Sequence, residues 1–278
     1  MKRNKNCTFT IEQEKQICAD YDSGLSCVKL AKKWGSNTSS IHKILKIYKV
    51  KMRTLSEARN NFVGRKLNTS IFSEINSREK AYWLGVFYAD GYISKTNPYT
   101  NYFGMTIKSS DIEWLNKLQK FLDTNISIRA YTQSHGYKIG EKYSRLLIGN
   151  NEIVSDLEKW GVVEHKTKKI CALPKIQFLD DFIRGYIDGD GSLRFAYPNF
   201  RICGNKEFLE DIAFYFGIPY HILPDKTIYS LAYNVKESEY LEKRLYKNAP
   251  VYLKRKFEIA KRSFNSPLTL EDVRKNSE

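Results

Sequence analysis

Cysteine and histidine are too few and too scattered in this chain to build a centre of their own. Cys7, Cys18, Cys27, Cys171 and Cys203 form an odd set with no Cys-x-x-Cys spacing and no histidine in zinc-ligand rhythm. That argues against a disulfide framework and against a structural zinc site, so the thiols read as reduced, small and mostly buried. His42, His135, His165 and His221 lie far apart, which gives no support to a histidine nuclease centre or a Ser-His-Asp triad. Long apolar runs are missing too: none approaches the roughly 20 residues of a spanning helix. The start, Met1-Lys2-Arg3-Asn4-Lys5-Asn6, leads into no signal-peptide core. The expectation is a soluble protein of a reducing compartment, cytoplasm or nucleoid, with no membrane partner.

Acidic charge is the other scarcity. Against 46 Lys and Arg stand 31 Asp and Glu, a formal net charge of +15. Residues 1–66 hold 15 of the basic and 5 of the acidic residues, so the first quarter carries +10 and the remaining 212 residues only +5. A polyanionic partner is implied, with its main anchor at the N-terminal end. A 42% hydrophobic and 14% aromatic content supports real cores, and 278 residues suggest two domains or so.

What is present twice matters most. Trp83-Leu84-Gly85-Val86-Phe87-Tyr88-Ala89-Asp90-Gly91 and Ile183-Arg184-Gly185-Tyr186-Ile187-Asp188-Gly189-Asp190-Gly191 are versions of one sentence, 100 residues apart. Each reads as the end of a helix with small residues at i and i+4, Gly85/Ala89 and Gly185/Gly189, a spacing that lets another backbone approach closely. The glycine after each aspartate reads as a left-handed helix stop. An aspartate at the negative end of a helix dipole is disfavoured, and two at abutting helix ends repel. A divalent cation removes both penalties, so Asp90 and Asp190 form a candidate hard-cation site, of the kind that uses Mg²⁺ to polarise phosphate and activate water.

These residues resemble the paired motifs of LAGLIDADG homing endonucleases in their single-chain form, over about residues 78–262. The second copy is close to the family pattern and the first is looser, with Tyr88 where the pattern has its earlier acid. Asp188 occupies that position in the second copy and reads as a local hydrogen-bonding residue. The resemblance implies that Asp90 and Asp190 are catalytic and bind Mg²⁺, for which Mn²⁺ can substitute, with the backbone carbonyls of Ala89 and Gly189. It further implies short 3′ overhangs cut across the minor groove.

The implied fold is α+β: a tandem αββαββα arrangement with a pseudo-twofold axis and saddle-shaped antiparallel sheets. A small all-α helix-turn-helix domain precedes it. The expected division is 1–50 for that domain, 51–77 for a basic linker, 78–170 for the first half and 171–278 for the second half with a C-terminal basic helix. The expected hairpins run over Tyr92 to Ser109 and Ser192 to Gly204, and the later strands over Ile126 to Thr132, Tyr143 to Ile148, Tyr220 to Leu223 and Thr227 to Val235. In the resemblance the outward sheet faces read the major groove. This makes Lys95, Lys108, Arg129, Tyr131 and Arg145 candidates in one half and Arg194, Arg201 and Tyr229 in the other; a half-exposed sheet also carries such residues without binding anything.

Counting from Cys27, Ala31 is fifth, Gly35 ninth, Ile41 fifteenth and Ile44 eighteenth, a pattern similar to the helix-turn-helix. The recognition helix would offer Asn37, Thr38, Ser39, Ser40, His42, Lys43 and Lys46 to DNA. The alternative is a three-helix bundle with a solvated basic face. Basic clusters follow the last helix of each half, Lys166-Thr167-Lys168-Lys169 and Lys254-Arg255-Lys256. By the family resemblance Lys166 and Lys254 are candidates to stabilise charge on the scissile phosphate, against the plainer reading of helix caps. The resulting expectation is a monomeric, Mg²⁺-dependent homing endonuclease that hydrolyses both strands of double-stranded DNA at a long asymmetric site. The alternative is a non-cleaving binder on the same fold, a maturase of intron RNA or a transcription regulator.

Overall fold

The computed structural model describes residues 9–53, 66–134, 138–164, 172–193 and 199–265, without the side chains of 193 and 260–265. The chain divides into two compact units, Met1–Lys66 and Leu67–Glu278.

In the first unit three short helices, α1 (Ile11–Asp22), α2 (Cys27–Lys33) and α3 (Thr38–Ile47), each begin at a side-chain cap. Thr10 and Gln13 form a reciprocal capping box, and the Ser26 and Asn37 side chains accept from Lys29 N and Ser40 N. Gly35 supplies the left-handed residue, φ +58°, that turns the chain from α2 into α3. Ile17, Leu30, Ile41, Ile44 and Leu45 fill the core, and small Ala31 lies buried among them. Arg53 closes this unit. Its guanidinium donates to the carbonyls of Tyr21, Gly24 and Leu25 and lies 4.1 Å from the centre of the Tyr21 ring.

The second unit is α+β. Helix α4 (Arg78–Ala89) leads into strands β1 (Gly91–Ser94) and β2 (Tyr102–Lys108), helix α5 (Ile112–Phe121), strands β3 (Arg129–Thr132) and β4 (Lys142–Gly149), and helix α6 (Asn151–Lys159). The same order returns with α7 (Leu179–Asp190), β5 (Gly191–Leu193), β6 (Phe200–Gly204), α8 (Lys206–Phe216), β7 (His221–Asp225), β8 (Ile228–Ala232) and α9 (Val235–Tyr246), and a final helix α10 (Lys254–Asn265) follows. The two sheets are antiparallel with matching orders, β1-β2-β4-β3 and β5-β6-β8-β7. No described helix is long and apolar enough to cross a membrane.

Strand alternation sets the faces. Phe103, Met105, Ile107, Leu146 and Ile148 point into the core in the first sheet, as do Phe200, Ile202 and Leu231 in the second. Because Leu231 faces inward, Tyr229 two residues earlier does too, and it packs against the same core. The sequence reading that put Tyr229 on the outer face is corrected here. The expected strand from Ile126 is also shortened: Ile126 and Ile128 pack on the core as irregular chain and pairing begins at Arg129.

The basic connector expected over 51–77 is narrower at both ends. Arg53 belongs to the first unit, while Ile71, Phe72 and Ile75 are buried in the second, where Trp160 Nε1 donates to the Phe72 carbonyl at 2.7 Å. Apolar residues spaced through a polar stretch were the signal for that packing.

Candidate active site

The site is built where α4 and α7 end side by side. Every residue of α4 from Ala81 to Ala89 is buried, the state expected of a helix packed on all sides. The two helices touch through their glycines. A Cβ on Gly85 would stand 1.9 Å from the Phe182 carbonyl oxygen, and one on Gly185 would stand 2.0 Å from the Tyr82 carbonyl oxygen. One turn later a Cβ on Gly189 would meet Ala89 Cβ at 2.3 Å and Asp90 Oδ2 at 3.4 Å. Small residues at i and i+4 therefore bring the C-terminal ends together, and each end presents one exposed carboxylate, Asp90 and Asp190.

The glycines that follow have a different reason from the one expected. Gly191 is extended, φ −76° and ψ 156°, and Gly91 is absent from the residues with positive φ. Both are needed for space: a Cβ would lie 2.2 Å from Phe87 Cδ1 at Gly91 and 2.5 Å from the Ile187 carbonyl oxygen at Gly191. The chain leaves each helix directly into the first strand of a sheet, folded tightly against the last helical turn.

Among the described residues, the lysine beside these ends is Lys256. Its ammonium donates to the carbonyls of Ile187, Gly189 and Gly191 at 2.8, 2.8 and 2.6 Å, capping α7 with positive charge. Burial pushes its pKa down, opposed by the charges of Asp188, Asp90 and Asp190. Tyr186, whose hydroxyl donates to the Cys203 carbonyl at 2.8 Å, has its pKa pushed up by burial and then by Asp190, Cys203 and Asp90. Both carboxylates thus act on the same two neighbours.

Asp188 is a hydrogen-bonding residue, but its partners are distant in sequence. It is buried and accepts from the hydroxyls of Tyr82 and Tyr246 and from Leu253 N–H, each at 2.7 Å. Trp114 Nε1 donates in turn to the Tyr82 oxygen at 2.8 Å. Burial raises the Asp188 pKa, against these hydrogen bonds and the Lys256 charge. Since Leu253 immediately precedes α10, this carboxylate fixes the start of the helix that carries Lys256. Tyr88, at the equivalent place in the first copy, donates to the Trp160 carbonyl.

Lys254 was the lysine expected here, and the structure places it elsewhere. It is exposed and lies 4.0 Å from Glu258, on a different side of α10 from Lys256. The sequence signal was the triplet Lys254-Arg255-Lys256; which member turns inward depends on the exact start of α10. Lys166 and Arg194 lie outside the described residues.

Among the described residues no group of three or more His, Cys, Asp and Glu forms a metal cluster. The oxygen donors at the two adjoining helix ends are the Asp90 and Asp190 carboxylates and main-chain carbonyls, a chemistry that suits Mg²⁺ completed by water and phosphate. Of the two expected carbonyl donors, Ala89 ends α4 beside Asp90, and that of Gly189 already accepts from Lys256.

The other candidate contacts are dispersed over outward surfaces. Arg129 and Arg145 are cross-strand partners, and Tyr131 stacks on Tyr143 with ring centres 5.9 Å apart. Lys108 pairs with Glu141 at 3.0 Å and Lys95 with Glu158 at 2.7 Å. Arg201 lies on the outer face of the second sheet, opposite Ala232. In α3, Ser39, His42, Lys43 and Lys46 are exposed and Thr38 and Ser40 half-buried, while the Asn37 side chain is engaged as the cap.

Residues 77–161 match a family profile described as LAGLIDADG-like domain. A DNA-directed RNA polymerase subunit, Rpo1C, from Methanocaldococcus jannaschii is 27% identical over 168 residues, which is 55% of this chain and 18% of that protein. The chain thus spans less than a fifth of that curated relative. Among solved structures, meganuclease I-SmaMI bound to uncleaveable DNA is similar at 12% identity over 70% of this chain and 95% of that one, with a TM-score of 0.47. The I-LtrWI LAGLIDADG homing endonuclease bound to target DNA is 15% identical over 75% and 96%, with a TM-score of 0.46.

Proposed function

From a chain that carries a LAGLIDADG-like domain and repeats its helix-and-sheet order in a second half, we propose a sequence-specific endonuclease that cuts both strands of double-stranded DNA. The observation that carries this reading is the abutting pair of helix ends, which brings exposed Asp90 and Asp190 together beside the buried ammonium of Lys256.

Asp90 and Asp190, with the Ala89 carbonyl, would hold Mg²⁺, and Mn²⁺ offers the same coordination. When bound, such a cation polarises a phosphate ester and lowers the pKa of water. The chain's own contribution is placement. The carboxylates sit at the rim of the helix pair, one from each half, so that two phosphates on opposite strands can be addressed from one centre. Lys256 supplies a positive charge within electrostatic reach of both Asp90 and Asp190, where an additional phosphate charge is stabilised. Buried Asp188 holds α10, and with it Lys256, in position. The outward sheet faces, with Arg129, Tyr131, Arg145 and Arg201, supply cationic and aromatic contacts to the duplex, and α3 with Lys43 and Lys46 adds a flanking contact through the first unit.

The reading is tested by selecting cleaved sequences from a randomised duplex library with Mg²⁺, using the full chain and its Asp90→Asn and Asp190→Asn variants. Cleavage at one long site that disappears in both variants is expected. Cutting that survives Asp190→Asn contradicts the assignment of the metal ligands, and tight binding without cutting by the unaltered protein would transfer the reading to a non-cleaving regulator or an RNA-binding maturase.

A further inference from the structure

The two sheets are paired so regularly that their outer faces can be compared position by position. Gly91 faces Met105 and Gly191 faces Ile202 as each chain leaves its helix; Met105 then faces Leu146, and Ile202 faces Leu231. The next row outward is Thr106, Arg145, Arg129 in the first sheet and Cys203, Ser230, Leu223 in the second. The row beyond replaces Tyr143 and Tyr131 with Ile228 and Asp225. Two arginines on neighbouring strands repel unless an anion lies over them. Their counterparts, Ser230 and Leu223, carry no charge, and the serine hydroxyl is buried below the surface. Among the described strand residues of the second sheet, cationic charge sits instead one row back, at Arg201.

An apolar row against the major groove cannot donate to guanine O6 or N7, and the one apolar group on a base-pair edge there is the thymine 5-methyl. Leu223 is 54% exposed, Cys203 and Ile228 are half-buried, and Ser230 between Cys203 and Leu223 is buried and small, which leaves a shallow apolar floor with Leu223 as its raised edge. Burial raises the Cys203 pKa, so the thiol there is neutral and apolar in character.

We infer that the second sheet reads thymine methyls through Leu223 and Cys203, while the first sheet uses Arg129 and Arg145 on phosphates and guanine acceptors. The recognised site is then asymmetric in chemistry as well as in sequence, with A·T pairs concentrated under the second sheet. This rests on the DNA-cutting reading above.

The test is equilibrium binding of the full chain to a duplex recovered from a randomised library by binding, with thymines replaced by uracil in one half of the site at a time. Uracil keeps every hydrogen bond and lacks only the methyl. In one half-site each methyl lost is expected to weaken binding about fourfold, and in the other to change it less than twofold. Leu223→Ala, at an exposed position that leaves the core intact, should reduce that sensitivity, whereas Arg145→Ala should weaken binding to thymine and uracil duplexes alike and leave their ratio unchanged. Equal affinity for thymine and uracil in both halves overturns the inference and leaves the endonuclease reading in place. Failure to bind duplex DNA of any sequence overturns both.

Discussion

An aspartate at a helix C-terminus adds negative charge to carbonyls that are already negative, and this molecule does so twice at adjoining ends. Lys256 offsets part of that cost from inside, through three carbonyls of α7 and its following strand. Its partial burial removes the competition of water, so its charge acts on neighbours at a lower effective dielectric than a surface lysine such as Lys254. Lys256→Met is therefore expected to slow single-turnover cleavage by about 10²-fold or more. Binding of the same duplex should change less than about threefold, because one interior charge adds little to a contact made over two sheets. Lys254→Met should alter cleavage by less than about twofold. Equal effects of the two substitutions on cleavage would remove Lys256 from the site.

At the scale of elements, α3 and α10 show which parts of the arrangement the residues announced. The caps of α1, α2 and α3, the turn at Gly35 and the tandem order of helices and strands follow from local signals, namely capping residues, a left-handed glycine and the two hydrophobic periods. The position of the acids was legible because the repeated small-xxx-small spacing has one good packing solution, mutual approach at Gly85 and Gly185. The Asp188 network was not, since its partners Tyr82, Tyr246 and Leu253 are separated from it by 106, 58 and 65 residues and no local pattern links them. The inward facing of Tyr229 was missed because one residue of register decides it. For α3 the surface is clear: Lys43 and Lys46 stand exposed on the side away from Ile41, Ile44 and Leu45. If that helix lies on phosphates, replacing both lysines by glutamine should lower the slope of log affinity against log salt by about 1.8, at about 0.9 per contact. A slope unchanged within error would leave α3 as the solvated face of a three-helix bundle.

Across the whole second unit, buried phenols hold packed elements together, Tyr82 doing so between the two halves. Tyr82 and Tyr246 meet at Asp188, Tyr186 bonds the Cys203 carbonyl, and Tyr88 bonds the Trp160 carbonyl. Burial raises the pKa of all four, and of Tyr233; Tyr88 is pushed up to about 12 from the ordinary value near 10. In the folded chain these hydroxyls keep their protons where the unfolded chain has already lost them. Their contribution to stability is complete below pH 10 and disappears as pH rises through the folded values, for Tyr88 by about 3 kcal/mol between pH 10 and 12. Lys256, with its pKa lowered by burial, acts with the opposite sign, because the unfolded chain binds its proton more tightly and releases it only near pH 10.5. One ammonium against five phenols leaves the sum falling. The urea midpoint should therefore hold or rise slightly below the ordinary phenol value, where Lys256 titrates without the phenols, and drop steeply from pH 10 to 11, and Tyr88→Phe should make that drop shallower by removing one titrating group. A midpoint that held or rose from pH 10 to 11 would mean that the phenols ionise without opening the core, and that the contacts joining the halves do not depend on their protons.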